Sequence, residues 1–268
     1  MGDKQGDLFD EAGDSAAAKQ FSDADMRALA GLYSDAGFDF SALPPGAHSL
    51  YELSVNAFSA IVHARMSELP ISAEISRFEQ KILAAADAAG MSVNAAAAAT
   101  RERAETAMRR AAELAAEDRG DRDACAVHEA AQKVQHEICR IRGLLRFAPG
   151  EDGVYAALCA PDYFILPALG EHFRKRFGGA PWVIIDEKRR VCLRYTPKKQ
   201  FEFFAIREIP EALKNPQSGK WEGLWRQYHK AINNEARSNP ELQRKLLPQR
   251  YWKYLTEMQG DDRGSTKT

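Results

Sequence analysis

Alanine fills 16 of the 34 positions from 84 to 117, including the unbroken run Ala95–Ala99. Alanine is the strongest helix former, yet it has almost no side chain to bury. Such a segment joins a core only as helices packed backbone close to backbone. The flanking pattern agrees. Leu50, Leu53, Phe58, Ile61 and Val62 recur at helical spacing, Pro70 ends that run, and Ile75, Phe78, Ile82 and Leu83 mark the next. Gly90 and Asn94 are expected to punctuate the alanine-rich stretch, and Asp118-Arg119-Gly120-Asp121 to turn the chain into a further helix. Residues 46–123 therefore read as a helical region. Ahead of it, residues 1–45 are rich in Asp, Gly, Ser and Ala and end at Leu43-Pro44-Pro45-Gly46. They read as a flexible acidic tail with one short amphipathic piece, Asp23 to Tyr33, capped by Ser22.

From residue 124 the pattern changes. Ala124 to Ile141 reads as a helix stopped by Gly143, and Leu144 to Phe147 with Val154 to Cys159 as two strands about a turn at 148–153. Leu166 to Phe177 reads as a helix stopped by Gly178-Gly179. Pro181 to Asp186 is almost continuously apolar, as a central strand must be. Val191 to Tyr195 and Phe201 to Ile206 give two more strands, and Trp221 to Ala236 and Pro240 to Glu257 two closing helices. The expected fold is α+β: a small, mainly antiparallel sheet with flanking helices, preceded by the all-α region and the tail. The expected division is 1–45, 46–123, a basic α+β domain over 124–258, and a disordered end over 259–268.

Charge divides along the same line. Residues 1–130 hold 12 Lys and Arg against 22 Asp and Glu, while residues 131–258 hold 23 against 14. The whole-chain net of −1 conceals this. A local excess of cations bears on partners, and a phosphate backbone is the natural one; neutralisation by the acidic half is the alternative. No stretch approaches the 18 or so apolar residues of a membrane span, and the polar start Met1-Gly2-Asp3-Lys4 is no secretory leader, so a cytoplasmic location is expected. The cysteines at 125, 139, 159 and 192 form no CxxC pair. Neither GxGxxG, P-loop, GxSxG nor HExxH occurs, and neither a metal nor a cofactor is expected.

Several residues invite chemistry. His136 and Arg140 share one helix face, with Arg142 and Arg146 following, and arginine suits bidentate phosphate contacts. Arg174 and Arg176 alternate with aromatics beside His172. Asp186 closes the apolar strand ahead of Arg189 and Arg190, where pairing with one of these arginines or Arg174 competes with a site role. Trp221, Trp225, Tyr228 and Ile232 form one helical stripe, expected to be core rather than a base-stacking platform, and it continues to Glu235. His136, His172, Asp186 and Glu235 are the candidate acid–base groups; Arg140, Arg142, Arg146, Arg174, Arg176, Arg189 and Arg190 are the candidate phosphate contacts.

Gln5-Gly6-Asp7-Leu8-Phe9 resembles the short peptide by which bacterial polymerases and repair factors dock on the sliding clamp, with Gln5, Leu8 and Phe9 as anchors. A wider resemblance runs through Arg140-Ile141-Arg142-Gly143-Leu144-Leu145-Arg146-Phe147, Pro161-Asp162, Leu166-Pro167, His172-Phe173, Arg176-Phe177, Trp182 and Ile185-Asp186-Glu187-Lys188-Arg189. It continues through Leu224-Trp225, Asn239-Pro240, Leu242-Gln243 and Pro248-Gln249-Arg250-Tyr251-Trp252-Lys253. These residues resemble a bacterial family described as probable DNA metabolism proteins. Its C-terminal domain is similar to a region fused to family-X uracil-DNA glycosylases, and stand-alone members are encoded beside a putative DNA-repair or DNA-modification radical-SAM protein. The resemblance implies a DNA-maintenance context without a reaction.

The expectation is thus a DNA repair or modification accessory protein. Its basic C-terminal domain would bind DNA, or a DNA-bound radical-SAM or glycosylase partner, and its tail would recruit it to the clamp. Two alternatives stand beside it: an enzyme acting on a DNA base or nucleotide, and a protein-binding scaffold without nucleic-acid contact.

Overall fold

A computed structural model describes residues 50–94, 101–150, 153–198, 200–209, 220–232 and 238–258. Two compact units interleave along the chain. The helical unit runs to Cys139 and takes in Asp162–His172; the mixed unit takes Arg140–Pro161 and the chain from Phe173 onward.

The helical unit contains α1 (Val55–Met66), α2 (Ser72–Asn94), α3 (Arg101–Ala116) and most of α4 (Arg122–Leu144). Ser54 caps α1 by accepting the Ala57 N–H at 3.2 Å, which satisfies a donor the helix cannot. Phe58, Ile61, Met66, Phe78, Ile82, Val127 and Val134 fill the core. The alanines behave as their size requires: Ala86, Ala104, Ala112 and Ala116 are all buried. Gly90 does not break α2, which runs through it to Asn94. A Cβ at Gly90 would come within 3.0 Å of Met108 Sδ, so this glycine serves the close approach of α2 to α3. The turn at 118–121 is pinned by Lys81, whose Nζ sits 2.9 Å from Asp118 and 2.8 Å from Asp121. Those hydrogen bonds raise the lysine above its usual pKa and lower both aspartates.

The mixed unit holds a five-stranded sheet in the order β1-β2-β3-β4-β5: Ala148–Pro149, Tyr155–Cys159, Trp182–Asp186, Val191–Thr196 and Gln200–Ala205. β2 and β3 are parallel, joined by the crossover helix α5 (Leu166–Phe177), and the other pairs are antiparallel. The α+β class holds. The strand expected over 144–147 does not form, because α4 stays helical through Gly143 to Leu144; the strand facing β2 is only Ala148–Pro149. The helix expected over 240–257 ends at Leu246. Pro248 cannot continue it, and the chain proceeds as 3₁₀ turns at Gln249–Tyr254 and Thr256–Met258. Ahead of these lies α6 (Lys220–Ile232), and Pro240–Leu246 is α7.

Strand alternation sorts the sheet residues. Trp182, Tyr195, Tyr155 and Phe201 share one face by register. α5 lays Phe173 and Phe177 on that face, with ring centroids 6.2 Å from Trp182 and 5.0 Å from Tyr155. Trp182 stacks on Tyr195 at 5.7 Å. Val183, Ile185 and Cys192 line the opposite face with Ile206 and Ile209. Every residue of β3 is buried, as its apolar run requires.

Candidate functional site

β3 ends at Asp186, whose carboxylate is fully buried. One oxygen accepts the backbone N–H groups of Lys188 at 3.0 Å and Arg189 at 3.2 Å; the other accepts Arg189 Nη1 at 2.9 Å. The same Nη1 reaches the Pro161 carbonyl at 3.1 Å, so the pair ties the end of β2 to the β3–β4 turn. Arg190 completes that turn in the left-handed region, at φ 53°. Burial pushes the Asp186 carboxyl above its usual range, and Arg189 with the two backbone donors opposes that rise. Every contact is internal. The Arg189 side chain is 6 % exposed, so its expected phosphate contact is corrected to a structural ion pair.

At the same carboxyl end of the parallel pair, Glu187 Oε2 accepts Lys253 Nζ at 2.7 Å and the Tyr254 hydroxyl at 2.5 Å. Burial first, and the Glu187 hydrogen bond second, push the tyrosine hydroxyl upward. A shallow apolar cleft beside it is lined by Ile141, Leu144, Leu145, Leu158, Cys159, Tyr251 and Tyr254. Ligands of parallel sheets favour this end of the strands. Sequence reasoning missed this cluster, because Glu187 lies 67 residues from Tyr254.

A second cluster joins three distant segments. Glu257 accepts Arg146 Nη2 at 2.6 Å and the Trp225 indole N–H at 3.0 Å. The Arg146 guanidinium also lies 5.7 Å from the Trp225 ring centroid. Burial works to raise the Glu257 carboxyl, but the Arg146 and Trp225 hydrogen bonds prevail and hold it below its usual range. Arg146 is thereby committed to a carboxylate. The stripe expected to be core is instead exposed. Leu224, Trp225, Tyr228 and Ile232 are 47 %, 40 %, 55 % and 59 % exposed, and the Trp221 side chain lies outside the described residues.

His136 and His172 belong to the helical unit and Asp186 to the mixed unit, while Gln5, Leu8, Phe9 and Glu235 lie outside the described residues. Arg140, Arg142 and Arg174 are half-buried; Arg176 and Arg190 are exposed. Arg174 and Arg176 occupy the last turn of α5, which leads into the start of β3, whereas Arg190 lies past its end. A five-residue strand puts about 13 Å between those ends. Arg174 and Arg176 thus lie ahead of β3 in the chain and Arg190 beyond its far end. The cation excess of the unit is large. Among residues of the mixed unit with described side chains, seventeen Lys and Arg face six Asp and Glu. Four of the six, Asp186, Glu187, Glu202 and Glu257, already pair with a cation inside the unit.

Fold and surface define an α+β protein with a cation-rich sheet unit. A family model described as a domain of unknown function, DUF4130, matches residues 98–257, and the chain belongs to that family. No curated protein and no solved structure matches it. Among the described residues no helix is long and apolar enough to cross a membrane, and no group of three His, Cys, Asp or Glu is placed to hold a metal ion. Cys192 is a buried thiol pushed up to about 12 by desolvation, which suits packing rather than reactivity.

Proposed function

We propose that the protein is a DNA repair or modification accessory factor. Its mixed unit meets DNA, or a DNA-bound radical-SAM or glycosylase partner, and its Gln5-Leu8-Phe9 segment recruits the assembly to a sliding clamp. The supporting observation is the charge arrangement of the mixed unit. Its carboxylates are largely neutralised within the unit, while cations such as Lys175, Arg176, Arg190, Arg244 and Lys245 are exposed. An outer surface of that composition attracts a polyanion. Arg146 and Arg189 drop out of the contact set; Arg140, Arg142, Arg174, Arg176 and Arg190 remain in it. The resemblance to DNA-metabolism proteins points the same way.

The test is a titration of labelled duplex DNA at several salt concentrations. Affinity is expected to fall linearly on a log–log plot, by about 0.9 per phosphate contacted. The triple change Arg174→Glu, Lys175→Glu and Arg176→Glu should abolish binding at low salt. Absence of binding at low salt, or binding indifferent to salt, overturns the proposal. A pull-down of the clamp with intact and Leu8→Ala/Phe9→Ala protein tests the tail separately.

A further inference from the structure

We propose that Trp225 and Tyr228 form a stacking platform for single-stranded nucleic acid, which deepens and rests on the DNA-binding reading above. The two residues stand one turn apart on α6, with ring centroids 5.7 Å apart and planes tilted by 37°. Both residues are exposed, Trp225 by 40 % and Tyr228 by 55 %. Trp225 does not hang loose. Its indole N–H is held by Glu257 at 3.0 Å, Glu257 is itself held by Arg146 at 2.6 Å, and the guanidinium lies against the indole ring. The Glu257 side chain is only 8 % exposed, so the anchor is enclosed. A ring fixed in advance loses little conformational freedom when a ligand stacks on it.

Charge selects the occupant. The described exposed cations of the segment 220–258 are Lys230, Arg244, Lys245, Arg250 and Lys253, the last already paired with Glu187, against Glu241 as the exposed described carboxylate. Exposed aromatic faces in a cation-rich unit are the combination that meets a single strand: bases stack on the rings and phosphates meet lysines and arginines of the unit. A duplex keeps its base faces covered by their neighbours and offers these rings nothing to stack on. Leu224 and Ile232 extend the apolar stripe along the same helix, which suits unstacked bases and not a phosphate ridge.

Anisotropy of the full-length protein with a fluorescein-labelled 20-nucleotide oligothymidylate and with a duplex of equal length tests this. The oligothymidylate is expected to bind more tightly than the duplex. Tyr228→Ala and Trp225→Ala should each weaken oligothymidylate binding by about 10-fold or more while leaving duplex binding unchanged. Trp225→Phe, which keeps a ring, should restore most of it. Tyr228 packs against Trp225 but is not one of the two groups that hydrogen-bond Glu257, so it serves if Trp225→Ala unfolds. Equal binding by wild type, Trp225→Phe and Tyr228→Ala overturns the platform and leaves the DNA-binding reading standing. No binding of either probe at low salt overturns that reading as well. A concentration-dependent dimer in solution that Tyr228→Ala abolishes, with oligothymidylate binding intact, overturns the platform in favour of a self-association face.

Discussion

Arg146 and Glu257 are 111 residues apart in the chain and 2.6 Å apart in space. The pair fastens the loop after α4 to the final 3₁₀ turn, and its carboxylate also orients Trp225. Glu257 has a pKa held below its usual value near 4.5. A carboxyl depressed in the folded state adds stability that is fully present above its unfolded pKa and is lost as pH falls through the lower folded value. Glu257→Gln should therefore cost about 1.5–3 kcal/mol at pH 7, in the range for hydrogen bonds to charged groups. The gap between variant and wild type should close as the pH drops below about 4.5. Urea denaturation of both proteins from pH 7 to pH 3 measures it; a gap independent of pH would contradict the assignment.

Asp186 and Arg189 form the most enclosed ion pair described in the mixed unit, with side chains 0 % and 6 % exposed. Removing one partner strands the other charge in a dry site. Asp186→Ala should cost about 3–5 kcal/mol, whereas replacing both residues together by leucine and methionine should cost much less. A double-mutant cycle read by thermal or urea unfolding separates the two outcomes. Equal losses in single and double variants would place the energy in the turn backbone instead.

The boundaries most legible in the sequence were those set by local punctuation. Leu166–Phe177 appears as expected because Gly178 and Gly179 take positive φ and stop the helix there. The β3, β4 and β5 ranges shift by a residue at most, since apolar alternation and short turns are local properties. Most misread positions have a long-range cause. Gly90 and Gly143 resemble helix stops, yet close packing against Met108 explains the first and α4 simply continues through the second. The stripe of α6 has the periodicity of a core face, and periodicity does not reveal whether anything covers it. Arg146 and Arg189 look like surface cations because their partners, Glu257 and the buried Asp186, are fixed by tertiary structure.

Trp182 is completely buried in the aromatic face of the sheet, and its indole Nε1 has no hydrogen-bond partner among the described residues. Its value to the fold is therefore its ring and not its polar atom. Trp182→Ala should cost about 3–5 kcal/mol through the cavity it leaves. Trp182→Phe keeps stacking against Tyr195 and relieves an unmet donor, so it should stay within about 1.5 kcal/mol of wild type. Calorimetry of the two variants decides; a phenylalanine variant as unstable as the alanine one would mean the N–H is satisfied in solution.

Glu137 lies on α4, is 2 % exposed and accepts the backbone N–H groups of Asp162 at 2.7 Å and Tyr163 at 2.8 Å. It does for the segment entering α5 what a capping residue does for a helix start: it meets donors that the local backbone cannot. Glu137→Ala would leave those donors unmet, at about 1–3 kcal/mol for each. Glu137→Gln keeps one acceptor oxygen but turns an amide donor toward the second N–H, so it should recover less than half of the loss. Native-state hydrogen exchange offers the sharper check. Amides 162 and 163 should lose protection in the alanine variant well before the central strand β3 does, because local opening of that turn then no longer breaks two charge-assisted bonds. Loss of protection in β3 to the same extent would show that Glu137 supports global stability and not the turn alone.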